Sequence, residues 1–249
     1  MKLVVDIGNS RVKWAQADGG RLREGPFGFA RPARAPATVY AAEWSDLDAP
    51  DAVALCSVAG RQATNAFVSW ARTRWGVEPR EIRASERAGA IVNAYCEPAT
   101  LGADRWANLL GVRDLLGAVD AVVVDAGTAV TVDALRGDGR HAGGAILAGL
   151  AASRSGLRAA APALPAVAED GALPADSTPV ALGAGTLVGL AGGIERVTAL
   201  VATGLDRPRW VLTGGDAERL APWLGEHWVH EPLLTLRGVL AAEEEACAG

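Results

Sequence analysis

The sequence is short of several things that mark common classes of protein. Its three cysteines, Cys56, Cys96 and Cys247, are odd in number and have no metal-type spacing. A disulfide framework and a zinc module are both disfavoured, and reduced cytosolic thiols are the simpler reading. No run of 18 uncharged apolar residues occurs, so no membrane span is expected. Only Met1, Lys2 and a short apolar stretch precede Asp6, too little for the apolar core of a secretion signal. A basic stripe is missing as well. The formal net charge is −5 and arginines are interleaved with Asp and Glu, which argues against nucleic acid as a partner. Lysine is nearly absent, with only Lys2 and Lys13 among 24 lysines and arginines. These absences leave a soluble, cytoplasmic protein as the expectation.

Half of the 249 residues are hydrophobic, enough for one large domain or two small ones. An internal repeat favours two. Residues 3–10, "LVVDIGNS", and 122–129, "VVVDAGTA", each give three apolar residues, Asp, one small or apolar residue, Gly, and then Asn9 or Thr128. The copies lie about half the chain apart, so two similar halves are expected, each opening with a strand, a tight turn and a second strand. Polar and Pro-rich loops follow the first hairpin, then a buried strand at 52–59 and helices around 65–75 and 103–117. In the second half, 141–161 reads as a Gly turn followed by a helix. Residues 162–179 form an Ala/Pro loop long enough to suggest function. A helix is expected over 182–202, and 209–220 reads as strand, Gly-Gly turn and helix. Alternating strands and helices give the α/β class.

A Gly turn at a strand end aims backbone N–H groups at one spot, which suits anionic oxygens and phosphate above all. An Asp beside it can hold the cation that arrives with a phosphate. Lys13, retained in a chain that otherwise uses Arg, fits a compact point charge at such a turn. Asp104 and Arg105 in "GADR" stand at a loop-to-helix junction, where Asp104 could simply cap the helix. A carboxylate next to a guanidinium also suits phosphorylation of an alcohol, with Asp accepting the hydroxyl proton.

Five stretches carry a closer likeness: "DIGNSRVK" (6–13), "YCEPATLGADRW" (95–106), "DAGTAVTVD" (125–133), "GGAILAG" (143–149) and "LPADSTPVALG" (173–183). In this order they resemble the type III pantothenate kinases, a group of the actin-like ATPase and kinase superfamily that includes Bvg accessory factor-like members. Ser10 stands where the family usually has Thr, and Ala148 where it usually has Pro. The resemblance implies two RNase-H-like (actin-like) domains, residues 1–117 and 118–249, with an ATP cleft between them. It also implies ATP-dependent phosphorylation of pantothenate, the entry to coenzyme A. By position, ATP would meet Asp6, Ile7, Gly8, Asn9, Ser10, Arg11, Val12, Lys13 and Thr128, with adenine near Gly214-Gly215. Pantothenate would meet Tyr95, Gly102, Ala103, Asp104, Arg105 and Thr178, with Asp104 as catalytic base. Mg²⁺ would sit near Asp6, and a monovalent cation, K⁺ or NH₄⁺, at Asp125. A homodimer is implied too, in which either subunit could supply Thr178.

Two rivals remain at this stage: a non-catalytic accessory protein on the same fold, and an actin-like kinase for another small hydroxylated substrate. The intact "GADR" disfavours the first, and the short chain disfavours the second. "GAGTLVG" (183–189) imitates a dinucleotide fingerprint but follows no strand. His227 and His230 lack a third metal ligand. The eight tryptophans are read as core or dimer packing.

Overall fold

Both valine-rich stretches become central strands in the structure, a computed structural model that describes residues 1–34, 36–167 and 173–248. In the first half β1 (Lys2–Ile7) turns tightly into β2 (Arg11–Asp18), and β3 (Arg21–Ala30) follows. Helix α1 (Pro36–Glu43) precedes β4 (Ala52–Ser57) and α2 (Arg61–Trp75). Three two-residue strands, β5 (Arg80–Glu81), β6 (Arg87–Ala88) and β7 (Ile91–Val92), come before α3 (Ala103–Leu116). The second half opens the same way, with β8 (Ala121–Ala126), β9 (Ala129–Leu135) and β10 (His141–Ala148). Helices α4 (Leu150–Ala160) and α5 (Thr178–Val201) follow. Then come β11 (Arg209–Thr213), α6 (Ala217–Leu220), β12 (Trp228–His230) and α7 (Leu234–Ala248).

The repeat in sequence is a repeat of topology. One five-stranded sheet has the order β3-β2-β1-β4-β5, and the other has β10-β9-β8-β11-β12. β1 is antiparallel to β2 and parallel to β4, and β8 is antiparallel to β9 and parallel to β11. Two expectations need correction. Residues 21–30, read as loop, form an edge strand that bulges where the register shifts between Trp14 and Gln16, with Gly25 at φ 123°. The expected Gly turn at 141–149 is strand β10. As an edge strand it alternates only between half-buried and exposed residues after His141, so its apolar period is weak.

The chain divides into two compact units. One comprises Met1–Ala118, Asp138–His141 and Leu233–Gly249, and the other Val119–Gly137 and Ala142–Pro232. In the first unit, Leu3, Val5 and Ile7 of β1 face an aromatic cluster of Trp14, Tyr40, Trp44, Phe67, Trp70 and Trp75. Strand periodicity sends Lys2, Val4 and Asp6 to the opposite face. There the Lys2 ammonium donates to Glu244 of α7 at 2.9 Å, a bond that raises the Lys2 pKa above its ordinary value. Helix α7, though last in sequence, packs on α3. A Cβ on Gly238 would fall 1.7 Å from the Ala107 carbonyl oxygen, and one on Gly111 2.3 Å from that of Leu234. Thr235 donates to Asn108 Oδ1 at 2.8 Å within this contact.

In the second unit, Val122, Val124, Ala126 and Leu212 pack against Leu150 of α4 and Leu187, Leu190, Ala191 and Ile194 of α5. By length and composition alone, α5 is also apolar enough to cross a membrane. The uncharged stretch 177–194 is 18 residues long but includes Ser177, Thr178 and Thr186, so it is not the wholly apolar run that the sequence expectation required.

The α3–α7 contact yields the first prediction. Gly238→Ala forces a methyl into backbone and should cost about 1–3 kcal/mol, the usual range for overpacking. Urea unfolding reads this as a lowered midpoint, and an unchanged midpoint would mean that the helices part freely.

Candidate functional site

The first turn is set by strand pairing. Gly8 N–H donates to the Arg11 carbonyl at 2.9 Å, closing the hairpin, and register places Asp6 directly opposite Lys13. Residues directly opposite in an antiparallel pair share a face. Asp6 is only 9% exposed and accepts a long bond from the Cys56 thiol, 3.5 Å away on β4. Lys13 forms no ion pair with a described side chain. The hairpin tip stays open, with Asn9, Ser10 and Arg11 exposed. It is steadied from beyond β3, where Arg31 donates its backbone N–H to Ser10 O at 2.9 Å and its Nε to Asn9 O at 2.8 Å.

A second cluster in the same unit surrounds the start of α3. Gly102 occupies the N-cap without a side-chain bond, so Asp104 is a first-turn residue rather than the cap itself. A Cβ on Gly102 would lie 2.6 Å from Asp104 Oδ1, so the glycine makes room for that carboxylate. Asp104 Oδ1 accepts the Arg105 backbone N–H at 2.7 Å, in the first turn of the helix. Arg105 is 4% exposed and donates Nη1–H to the Tyr95 hydroxyl at 2.7 Å. Its guanidinium carbon also lies 5.6 Å from the Tyr95 ring centroid. Asn93 fixes the loop beneath: its Oδ1 accepts from Tyr95 N–H, and its Nδ2 donates to the Ser85 and Pro98 carbonyls. His141, 3% exposed, stacks on Tyr95 with centroids 5.9 Å apart.

The second unit holds the other turn. Asp125 occupies in β8 the place of Asp6 in β1, fifth of six residues, and pairs with Thr131 on one side and Thr213 on the other. Gly127 N–H donates to Ala129 O at 3.0 Å, and Gly149 N–H to Thr128 O at 3.2 Å. Here three backbone segments meet closely. A Cβ on Gly149 would lie 2.2 Å from Gly127 O, and one on Gly214, whose φ is 101°, 2.4 Å from Ala126 O. Asp216 N–H donates to the same Ala126 carbonyl at 2.9 Å. Thr128 stays exposed at the tip, and Asp125 is half-buried. The result is a turn rich in backbone polar groups and short of side chains, the kind of surface that accommodates phosphate.

Thr178 is exposed, the first residue of α5, with Ser177 as N-cap. Residues 168–172 of the loop expected to be functional lie outside the described residues. "GAGTLVG" falls inside α5. His227 packs edge-on against Trp210 at 5.5 Å. Among the described residues, no group of three or more His, Cys, Asp or Glu is placed to hold a metal. Seven of the eight tryptophans divide between the first-unit cluster, buried Trp106 and the Trp210–Trp228 pair, and Trp223 is exposed. Sequence reasoning passed over Asn93 and His141. A lone Asn or His has no spacing signature, and what singles them out is contact with Tyr95.

The type III pantothenate kinase family model matches residues 2–200. A type III pantothenate kinase of Nitrosococcus oceani is 36% identical over 252 residues, covering 96% of this chain and 92% of the relative. Among solved structures, a protein of the Baf family of transcriptional activators from Campylobacter jejuni matches with TM-score 0.63 at 21% identity, over 99% of this chain and 100% of that one. A ROK-family glucokinase from Streptomyces griseus, in complex with glucose and AMPPNP, matches with TM-score 0.54 at 17% identity, over 100% and 99%. At such identities the structural likenesses bear on fold alone.

The glycine packing in the second unit is directly testable. Gly214→Ala places a methyl against the Ala126 backbone at a φ that alanine resists, a cost of about 1–3 kcal/mol. A lower melting temperature is expected, whereas Gly215→Ala, which meets open space, should leave it unchanged.

Proposed function

The chain belongs to the type III pantothenate kinase family, and from that membership we propose how its residues divide the work. The reaction is ATP-dependent phosphorylation of pantothenate to 4'-phosphopantothenate, the first step of coenzyme A biosynthesis. The fold resembles that of the actin and sugar-kinase ATPases, with α/β sheets and flanking helices. The finer architecture is our reading. We take residues 1–117 and 118–249 as two RNase-H-like domains, the last helix of the second returning to the first, and ATP held between them. The matching strand orders support it.

Phosphoryl transfer passes through a loose transition state, so positioning and charge neutralisation carry most of the acceleration. We assign Asp104 as the base that accepts the pantothenate hydroxyl proton. The observation that carries this is its place in the first turn of α3, half-buried and next to the Arg105–Tyr95 bond. Arg105 and Tyr95, with Gly102, Ala103 and Thr178, would hold pantothenate. Arg105 spends one N–H on the Tyr95 hydroxyl, which leaves that hydroxyl its own proton to donate toward substrate. The ATP phosphates are assigned to residues 6–13 and Thr128. Lys13, without an ion pair to a described side chain, has its charge available for them.

The residues also suit the cations. A largely hydrated Mg²⁺ needs only one or two carboxylates, and Asp6 at the strand end can supply one. Asp125, beside the backbone oxygens of its turn, suits a weakly hydrated K⁺ or NH₄⁺. Bound there, such ions neutralise phosphate charge that side chains leave unpaired. A cytoplasmic homodimer completes the proposal. Along α5 the exposed Ala181, Gly185, Gly189 and Gly192 form a small-residue face, and a Cβ at any of these glycines would meet open space.

Three outcomes are expected. ADP release from ATP requires pantothenate, and stimulation by glucose or glycerol instead would sink the substrate assignment. Asp104→Asn lowers kcat by roughly 10²–10⁴ while pantothenate still binds. Near wild-type turnover would reduce Asp104 to a helix-end charge. Activity is low in Na⁺ or choline buffer and restored by K⁺ or NH₄⁺, and Asp125→Ala loses that response. Equal rates in K⁺ and Na⁺ would remove the cation from Asp125.

A further inference from the structure

His141 has no part in the mechanism above, yet it is 3% exposed and stacks on a residue assigned to pantothenate. The planes of His141 and Tyr95 are 23° apart with centroids at 5.9 Å. Tyr95 in turn fixes Arg105 through a 2.7 Å bond to its hydroxyl. Polar contacts hold the other end of the tyrosine: its N–H is donated to Asn93 Oδ1 at 3.0 Å. The ring itself has one aromatic neighbour among the described residues, and that neighbour is His141.

The segment bearing His141 is held with unusual closeness. Residues 138–141 belong to the first unit although the chain on both sides belongs to the second. Gly139, at φ 93°, lies so near Ala90 that a Cβ would stand 1.9 Å from its carbonyl oxygen. Val92 N–H donates to Gly139 O at 3.0 Å, and Val92 forms a parallel bridge with Arg140. Arg140 N–H is donated to the Asp138 carboxylate at 3.0 Å. Such a clamp fixes the backbone one residue before His141. A flexible turn would not need a glycine wedged against another backbone.

We propose that His141 is a positioning residue for pantothenate: clamped by the Gly139 turn, its ring backs Tyr95, and through Tyr95 it holds Arg105 where the substrate meets it. The proposal rests on the assignment of Tyr95 and Arg105 to pantothenate. His141 touches no reacting atom, so its loss should move substrate binding and spare the chemical step.

Steady-state kinetics of the full chain with His141→Ala, His141→Leu, His141→Phe and Tyr95→Ala tests this, with melting temperatures measured alongside. An aromatic pair at this distance corresponds to roughly a 3–10-fold effect on an equilibrium. His141→Ala should therefore raise the KM for pantothenate by about that factor, with kcat within about two-fold and the KM for ATP unchanged. His141→Phe, which keeps a stacking ring, should return the KM to near wild type. His141→Leu, which fills volume without a ring, should not. An unchanged pantothenate KM in His141→Ala, with a raised one in Tyr95→Ala, overturns the positioning role and leaves the site assignment standing. Rescue by Leu equal to that by Phe also overturns it, because bulk rather than stacking would then suffice. If Tyr95→Ala leaves the KM unchanged too, the assignment of the site fails, and this inference with it.

Discussion

The pairing of a carboxylate-ended central strand with its hairpin partner is the constraint on which each half of the protein depends. β1 and β8 are buried along most of their length, which leaves little choice of register: a slip by one residue would turn Leu3, Val5 and Ile7 away from their core. With register fixed, Asp6 must face Lys13 and Asp125 must face Thr131. The hydrophobic core thus determines where the polar atoms stand. Turns of three residues in the first half and two in the second then leave the hairpin tips too short to fold back over them, so they remain at the open end of each sheet.

This explains why the two Asp-bearing turns of the candidate site were more legible in the sequence than the edge strands. Three apolar residues, Asp, one small or apolar residue and Gly is a pattern of neighbours, and neighbours in sequence are what a tight hairpin brings together. Asp104 and Arg105 were visible for the same reason, because a loop-to-helix junction is local. The edge strands β3 and β10 were not. An edge strand has one partner and one weakly buried face, so its residues carry no firm alternation; 21–30 read as loop and the glycines after His141 as a turn. Helix α7 was invisible in another way. What docks it on α3 is the absence of side chains at Gly111 and Gly238, and a glycine in a helix looks like a defect until its neighbour is known.

Glycine also distinguishes the two phosphate-type turns. In the first unit the hairpin is propped partly by side chains, with Arg31 Nε reaching back to Asn9 and Arg11 donating to the Gly28 carbonyl, beside the backbone bond from Arg31 N–H to Ser10 O. In the second unit it is propped by backbone, with Gly149 and Gly214 each lying against residues 126–128. Side-chain props can adjust when a charged ligand arrives. Backbone props cannot without moving β10 or β11 as well. The repeat therefore produced two turns alike in topology and held differently, one partly by side chains and the other by close backbone packing.

The sparing use of lysine fits the same division. Arginine serves where a planar group can be locked in place, as Arg105 is by Tyr95 and Arg154 by Thr186 and the Gly183 carbonyl. A guanidinium so locked keeps its geometry through a reaction, which suits the unreactive parts of a substrate. A phosphoryl group in flight changes its distances to every neighbour, and a rigid fork would match only one point on the path. A lysine on a flexible stem can follow. Lys2 is tied to Glu244 of α7, whereas Lys13 stands at the turn with no described carboxylate in ion-pair range, so in the proposed reaction it is the lysine able to move with the charge it would neutralise.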